Sequence, residues 1–221
     1  MTGRRPGEAA VRDEIVALGA RLAALGLAPG RSGNLSVRLD DAVLLTPTGT
    51  RLGGLVADEL SLLSVAGEHL DGPPATKEAP LHLGIYRARP TATAVVHLHS
   101  PHAVAVACLA GLDPANAIPP LTAYQLMQIG RLPRVPFFPP GSVELADAVE
   151  AAAVAHHAML LANHGLLATD RGLDGAAAVA EEIEATARLF LLLRGAEISP
   201  VPAEWVGALE RRSRDAEAGP R

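Results

Sequence analysis

The chain has 221 residues, 49% of them hydrophobic and 3% aromatic, with a formal net charge of -5. This length suits one domain with a sizeable core of Ala, Val and Leu, and the acidic balance argues against the basic face of a nucleic-acid binder. Cys108 is the single cysteine, so an intrachain disulfide and a thiolate metal cluster are both excluded, as suits a reducing cytosol. No apolar run reaches the length of a membrane span, and the opening MTGRRPGEAAVRDE has no apolar stretch behind its charges; a soluble cytoplasmic protein is expected.

Val11, Ile15, Leu18, Leu22 and Leu25 are spaced by four, three, four and three residues, the apolar stripe of a helix over residues 8 to 25, which Gly26, Pro29 and Gly30 end. From Asn34 to Leu39 the pattern becomes alternation, with Leu35, Val37 and Leu39 on one face and Ser36 and Arg38 on the other; Asp40 and Asp41 then turn a hairpin into Val43 to Thr46. LSLLSV (60 to 65) before Gly67 reads as another strand and turn. Thr76 is placed to cap a helix from Lys77 to Arg89, with Pro80 in its first turn and Pro90 at its stop. A strand bearing His97 and His99 follows, then a short apolar helix from His102 to Ala110 and a Pro-rich connection through Pro119 and Pro120. Residues 133 to 142, with four prolines and Gly141, read as a surface loop. A helix capped by Ser142 to about His156, a buried strand AMLLA (158 to 162) and a long helix over 174 to 194 complete the pattern, and residues 211 to 221 are expected to fray. Helices mixed with hairpins imply helical layers around a sheet that is not purely parallel.

The chemistry centres on AVVHLHSPHAV, residues 94 to 104. In a strand, i and i+2 share a face, so His97 and His99 project together and could grip one ion, although two hydrogen-bonded structural histidines would show the same spacing. His164, between a strand and a turn, is the natural third ligand, and three imidazoles leave an open position on zinc, the layout of a catalytic site. Glu78 lies near a helix N-terminus, where a carboxylate is favoured by roughly 0.3 to 1 kcal/mol whatever its function; near a metal it would serve as general acid/base, or as a fourth ligand without substrate. SGN (32 to 34) and TPTGT (46 to 50) offer glycines and polar side chains that suit an anion, and Lys77 would add a positive charge.

Taken in order, SGN (32 to 34), LTPTG (45 to 49), TKE (76 to 78), RPTATAVVHLH (89 to 99) and LLANHGLLA (160 to 168) resemble the class II aldolase/adducin family over roughly residues 8 to 198. The resemblance implies an α/β fold, a three-layer α/β/α arrangement with a mixed, mostly antiparallel central sheet, and a homotetramer with sites between subunits. It also implies zinc, or another divalent ion such as Mn2+ or Co2+, on His97, His99 and His164, with Glu78 as acid/base and Gly33, Asn34, Thr48, Gly49 and Thr76 at phosphate-binding positions. The sugar-phosphate aldolases tend to carry a small hydroxyl residue where this chain has Lys77. With PPLTAYQLMQIGRLPRVPFFPPG (119 to 141) and EATARLFLLLRG (184 to 195), TKE looks more like the 3-oxo-tetronate 4-phosphate decarboxylase branch. That branch implies loss of CO2 from a 3-oxo-tetronate 4-phosphate through a metal-bound enediolate, giving a ketose phosphate such as dihydroxyacetone phosphate. The alternatives are a fuculose-phosphate aldolase-like cleavage of a ketose 1-phosphate, in which Tyr124 of a neighbouring subunit would take the place of the aldolases' catalytic tyrosine, and an adducin-like interaction module without catalysis.

Overall fold

The stripe Val11, Ile15, Leu18 and Leu22 winds into α1 (Glu8–Ala24), and Ile15 and Leu22 become fully buried. This computed structural model describes residues 7–218, with backbone alone for residues 212–218. In chain order there follow β1 (Asn34–Arg38), β2 (Ala42–Leu45), β3 (Ser61–Ser64), β4 (His69–Asp71), α2 (Ala79–Ala88), β5 (Ala94–Leu98), α3 (Pro101–Ala107), α4 (Ala123–Gln128), β6 (Arg134–Val135), α5 (Val143–Ala153), β7 (Ala158–Leu161), β8 (Gly165–Asp170), α6 (Leu173–Leu192) and α7 (Ala203–Ala218). The strands make one sheet in the order β4-β3-β2-β1-β5-β8-β7-β6. Every neighbouring pair is antiparallel except β6 and β7, which run parallel.

Alternation along the strands divides their side chains between two apolar clusters. On one face Leu35, Leu44, Val96, Leu98, Leu160 and Leu166 pack with Ile15 and Leu22 of α1, Val106 of α3 and Ile183 of α6. On the other, Val43, Leu45, Leu63, Val95, Met159 and Leu167 pack with Leu81 and Ile85 of α2 and Leu145 and Val149 of α5. The result is the expected three-layer α/β/α arrangement. Among the described residues no helix is long and apolar enough to cross a membrane.

Several elements depart from the sequence reading. Helix α2 starts at Ala79 with Glu78 at its N-cap, two residues later than a Thr76 cap would put it. The cause is that Ala75 bridges to Pro47 and Thr76 N–H donates to Thr46 O at 3.2 Å, which holds this segment extended against the end of β2. The Thr76 hydroxyl nevertheless accepts from Glu78 N–H at 3.3 Å. Within the proline-rich stretch 133 to 142 lies β6, an edge strand where missing N–H groups are tolerated; Pro133 O and Val135 O accept from Leu160 and Ala162. Helix α4 was not anticipated, although Thr122 and Gln125 close a capping box around its first turn. Helix α3 begins at Pro101 and ends at Ala107, earlier at both ends than the expected 102 to 110. Of the tail expected to fray, 211 to 221, residues 211–218 form the end of α7, where Ala, Glu and Arg are good helix formers, and residues 219–221 lie outside the described range.

Candidate metal centre and active site

The antiparallel register of β1 and β5 sets Asn34 directly opposite His97. His97 Nδ1 lies 2.7 Å from Leu166 O, and a carbonyl only accepts, so Nδ1 carries the proton and the Nε2 lone pair faces the site. His99, just past the end of β5, brings its Nε2 to 3.0 Å from His97 Nε2.

The third histidine depends on the turn between β7 and β8. Asn163 adopts φ 56, a left-handed conformation that Asn tolerates better than most residues. At Gly165 a Cβ would lie 2.3 Å from Leu98 O, so only glycine lets this turn press against the end of β5. His164 is thereby seated beside the other two, with all three ring centroids 4.7 to 4.9 Å apart. From the start of α2, Glu78 closes the cluster. Its Oε2 accepts from Asn34 Nδ2 at 2.7 Å and lies 3.3 Å from His97 Nε2, while Oε1 lies 3.0 Å from His164 Nε2. Glu78 stands at the N-cap of α2, where its charge suits the helix N-terminus, but its side chain makes no capping hydrogen bond and turns to the histidines instead.

Ligand-capable atoms of Glu78, His97, His99 and His164 all lie within 4.8 Å of one another. A tetrahedral ion with Zn–N bonds of about 2.0–2.1 Å holds its ligand atoms about 3.4 Å apart, close to the 3.0 and 3.3 Å separations here. Glu78 Oε1 is buried without a hydrogen bond, 3.0 Å from His164 Nε2, so the carboxylate is unsatisfied by protein alone. These residues fit a divalent cation.

The electrostatics agree. Burial by itself would raise the Glu78 carboxyl, but His97 first, and His164 with it, at 3.3 and 3.0 Å, hold it well below the usual carboxylate range. Burial works to lower His97, yet Glu78 outweighs it and the net direction is upward. Burial, then the neighbouring His97 and His164, push His99 down to about 3. The cluster thus presents an ionised carboxylate and at least one neutral imidazole.

Above the histidines opens a cleft of about 220 Å³ lined by Gly33, Asn34, Thr48, Gly49, Thr76, Lys77, Glu78, His99 and His164. His97 is fully buried beneath it. Gly33 has φ 83 and a Cβ there would approach His97 O to 3.0 Å, while Gly49 has φ 71; both turns need glycine to bring backbone to the cleft. The side-chain amide of Asn34, at the floor of the cleft, is engaged within the protein, with Nδ2 donating to Glu78 and, at 3.4 Å, to Thr76 Oγ1, and Oδ1 facing His82. Tyr124 does not belong to this cleft: it sits on α4 with 64% of its surface exposed.

Two residues near the site escaped the sequence reading. Arg31, immediately before SGN, lines the cleft with Lys77 and gives it a second cation; its position in a Gly-flanked loop was the available signal. His82 lies fully buried behind Asn34, and only its place four residues after Glu78, on the same side of a helix, could have pointed to it.

Residues 13–191 match the family described as Class II Aldolase and Adducin N-terminal domain. A Haemophilus influenzae protein named 3-oxo-tetronate 4-phosphate decarboxylase is 43% identical over 206 residues, covering 93% of this chain and 98% of that one. An Escherichia coli L-fuculose phosphate aldolase is more distant, 36% identical over 180 residues and 80% of each chain. The crystal structure of YgbL from Escherichia coli superimposes with a TM-score of 0.90 at 38% identity, covering 92% of this chain and 99% of that one. With the match spanning most of its length and the sheet, the histidine cluster and the glycine turns in place, the chain belongs to the class II aldolase and adducin family.

Proposed function

We propose that the chain is a metal-dependent carbon–carbon lyase that decarboxylates a 3-oxo-tetronate 4-phosphate to dihydroxyacetone phosphate and CO2. The observation that carries this reading is the pair of cations, Arg31 and Lys77, lining one small cleft with Glu78, His99 and His164. A sugar-acid phosphate brings two anions to such a cleft, whereas a neutral-chain ketose 1-phosphate brings one. The nearer relationship to the decarboxylase than to the aldolase supports the same choice.

Zinc, or Mn2+ or Co2+, would be held by His97, His99 and His164, with Glu78 as a fourth ligand when no substrate is bound. When bound, the ion supplies a Lewis acid that polarises the 3-oxo group. The turns at Gly33 and Gly49, with Thr48 and Thr76, hold the phosphate, and Lys77 and Arg31 divide the remaining negative charge between them. As the bond to the carboxylate breaks, its electron pair moves toward the 3-oxo group, and Glu78, ionised at rest, takes one proton from water in the cleft and passes it to the carbon that CO2 has left, so that one C–C bond is exchanged for one C–H bond.

The single cysteine supports a cytoplasmic setting, and one sheet carrying both apolar clusters supports a single domain. The 64% exposure of Tyr124, away from its own chain's cleft, fits a homotetramer in which it would reach a neighbouring copy's site. The complete ligand set supports an enzyme over an adducin-like interaction module.

Incubating the metal-loaded protein with 3-oxo-tetronate 4-phosphates and with ketose 1-phosphates tests the reaction. CO2 is expected from the former; an aldehyde from the latter alone would make the protein an aldolase. Lys77→Ser is expected to lower kcat/KM for the acid substrate by about 10- to 100-fold, the worth of one charge-assisted hydrogen bond, and unchanged kinetics would remove Lys77 from the argument.

A further inference from the structure

Behind the site runs a buried chain of polar groups that the proposed chemistry leaves without a task. Tyr86 OH lies 2.7 Å from Ser36 Oγ, Ser36 Oγ lies 2.7 Å from His82 Nδ1, His82 Nε2 lies 2.5 Å from Asn34 Oδ1, and Asn34 Nδ2 lies 2.7 Å from Glu78 Oε2. Ser36 and His82 are fully inaccessible, and Asn34 and Tyr86 nearly so. Donor and acceptor rules give the chain one direction. The Glu78 carboxylate accepts, so Asn34 must present its NH2 to Glu78 and its carbonyl oxygen to His82. That oxygen requires a proton on His82 Nε2, which leaves Nδ1 as an acceptor for the Ser36 hydroxyl, and Ser36 then accepts from Tyr86. Burial, with His97 nearby, keeps the imidazole neutral, as this tautomer requires.

The alternative orientation fails at once. Were the Asn34 amide reversed, its carbonyl would face a carboxylate and its NH2 would face the ring nitrogen that now donates. The carboxylate therefore sets which way Asn34 points, and His82, in the tautomer that donates from Nε2, holds the amide there. Asn34 in turn fixes which carboxylate oxygen is engaged: Oε2 carries the amide hydrogen bond, and Oε1 is left without one beside His164.

We infer that His82 is a positioning residue for Glu78, acting through Asn34: it locks the amide that holds Oε2 and so leaves Oε1, beside His164, as the working oxygen. The inference rests on Glu78 acting as the proton carrier of the proposed lyase, but not on which carbon–carbon bond breaks. Ser36 supports His82 from the far side, and Tyr86 supports Ser36.

The test uses two isosteric halves of the ring. His82→Gln places an amide N–H near the Nε2 position and can still donate to Asn34; His82→Asn reaches only the Nδ1 position and cannot. With the metal-loaded full chain and whichever substrate the native protein turns over, His82→Asn is expected to lower kcat by about 10- to 100-fold, the usual cost of losing a supporting partner. KM and bound metal should stay unchanged, and His82→Gln should restore most of the rate. Equal losses in both variants, or a loss that appears in KM or metal content, would overturn the assignment. If His82→Asn does not fold, Ser36→Ala serves instead, with a smaller loss expected in kcat alone. Independently of turnover, the 15N shifts of the His82 ring in the metal-free protein should show a protonated Nε2 and a bare Nδ1; the opposite tautomer would overturn the inference even if decarboxylation were confirmed, and a protein without decarboxylase activity could still pass it.

Discussion

The two faces of β1 and β5 share backbone and register but differ in everything their side chains do. On one face Leu35, Ala94, Val96 and Leu98 join a continuous apolar cluster with α1, α3 and α6. On the other, Asn34, Ser36 and His97 are equally buried, yet every one of them is tied to a named polar partner. Burial alone does not separate core from site here; partner chemistry does. The apolar face is bound by non-directional burial and tolerates rearrangement among similar volumes, whereas the polar face works only while each donor meets its acceptor.

Leu98 and His99 let this contrast be broken from either side, since adjacent residues fall on opposite faces. The largest effect is expected at His99→Ala, which removes one ligand from the cluster of four. Activity should fall by three orders of magnitude or more, roughly the upper range for loss of a catalytic group, and divalent metal should no longer copurify in stoichiometric amount. The variant should unfold at nearly the temperature of the metal-stripped native protein, because His99 is only partly buried. Metal analysis and a thermal scan check both halves; retained metal with full activity would remove His99 from the ligand set.

Glu78→Gln comes next. Turnover is expected to drop by about 10²- to 10⁴-fold, the usual range for a general acid/base, with metal content largely kept because three histidines remain. An equal loss of metal and rate, measured on the same preparation, would make Glu78 chiefly a ligand. Leu98→Ala is the counterpart on the apolar face. Leu98 is fully buried among well-packed neighbours, so a loss of about 2–5 kcal/mol in stability is expected by urea unfolding, while the protein that remains folded should bind metal as before. Loss of metal without loss of stability would show the two faces to be coupled.

How much of this was legible in the sequence follows the same division. Period-two alternation placed Leu35 and Val37, and the pair His97 and His99, because both depend on strand geometry alone. His164 was readable for a related reason: an NHG turn after an apolar run marks where a strand ends and a side chain is held. Alternation puts Ser36 on the face opposite Leu35 and Val37, but nothing local shows that α2 covers that face with His82 and Tyr86. His82 joins Asn34 across 48 residues of sequence, a contact that no local spacing encodes. Helix α4 and strand β6 sit among prolines that argue for loop, and only the Thr122 and Gln125 box signalled otherwise. The start of α2 was misplaced because Thr76, a good cap by type, is held by β2 instead.

The smallest effect expected is a pH dependence confined to the polar face. Burial first, then the nearby His97, lower His82 from 6.5 to about 3, against a smaller opposing pull from Glu78. The folded protein therefore keeps this ring neutral while the unfolded chain protonates it below its ordinary value. Below pH 6.5 the unfolded state binds the extra proton, so stability falls as pH drops through the window from 6.5 toward about 3, and above that window His82 contributes no slope. One proton is worth at most about 1.4 kcal/mol per pH unit. His82→Gln carries no such proton, so urea unfolding of the metal-free native and variant proteins should run parallel above neutrality and diverge in acid, the native protein losing stability faster. Parallel behaviour down to about pH 5, a span over which one excluded proton would be plain, would mean that His82 takes up a proton in the folded state; the direction assigned to the Asn34 and Glu78 chain would then have to be reversed or abandoned.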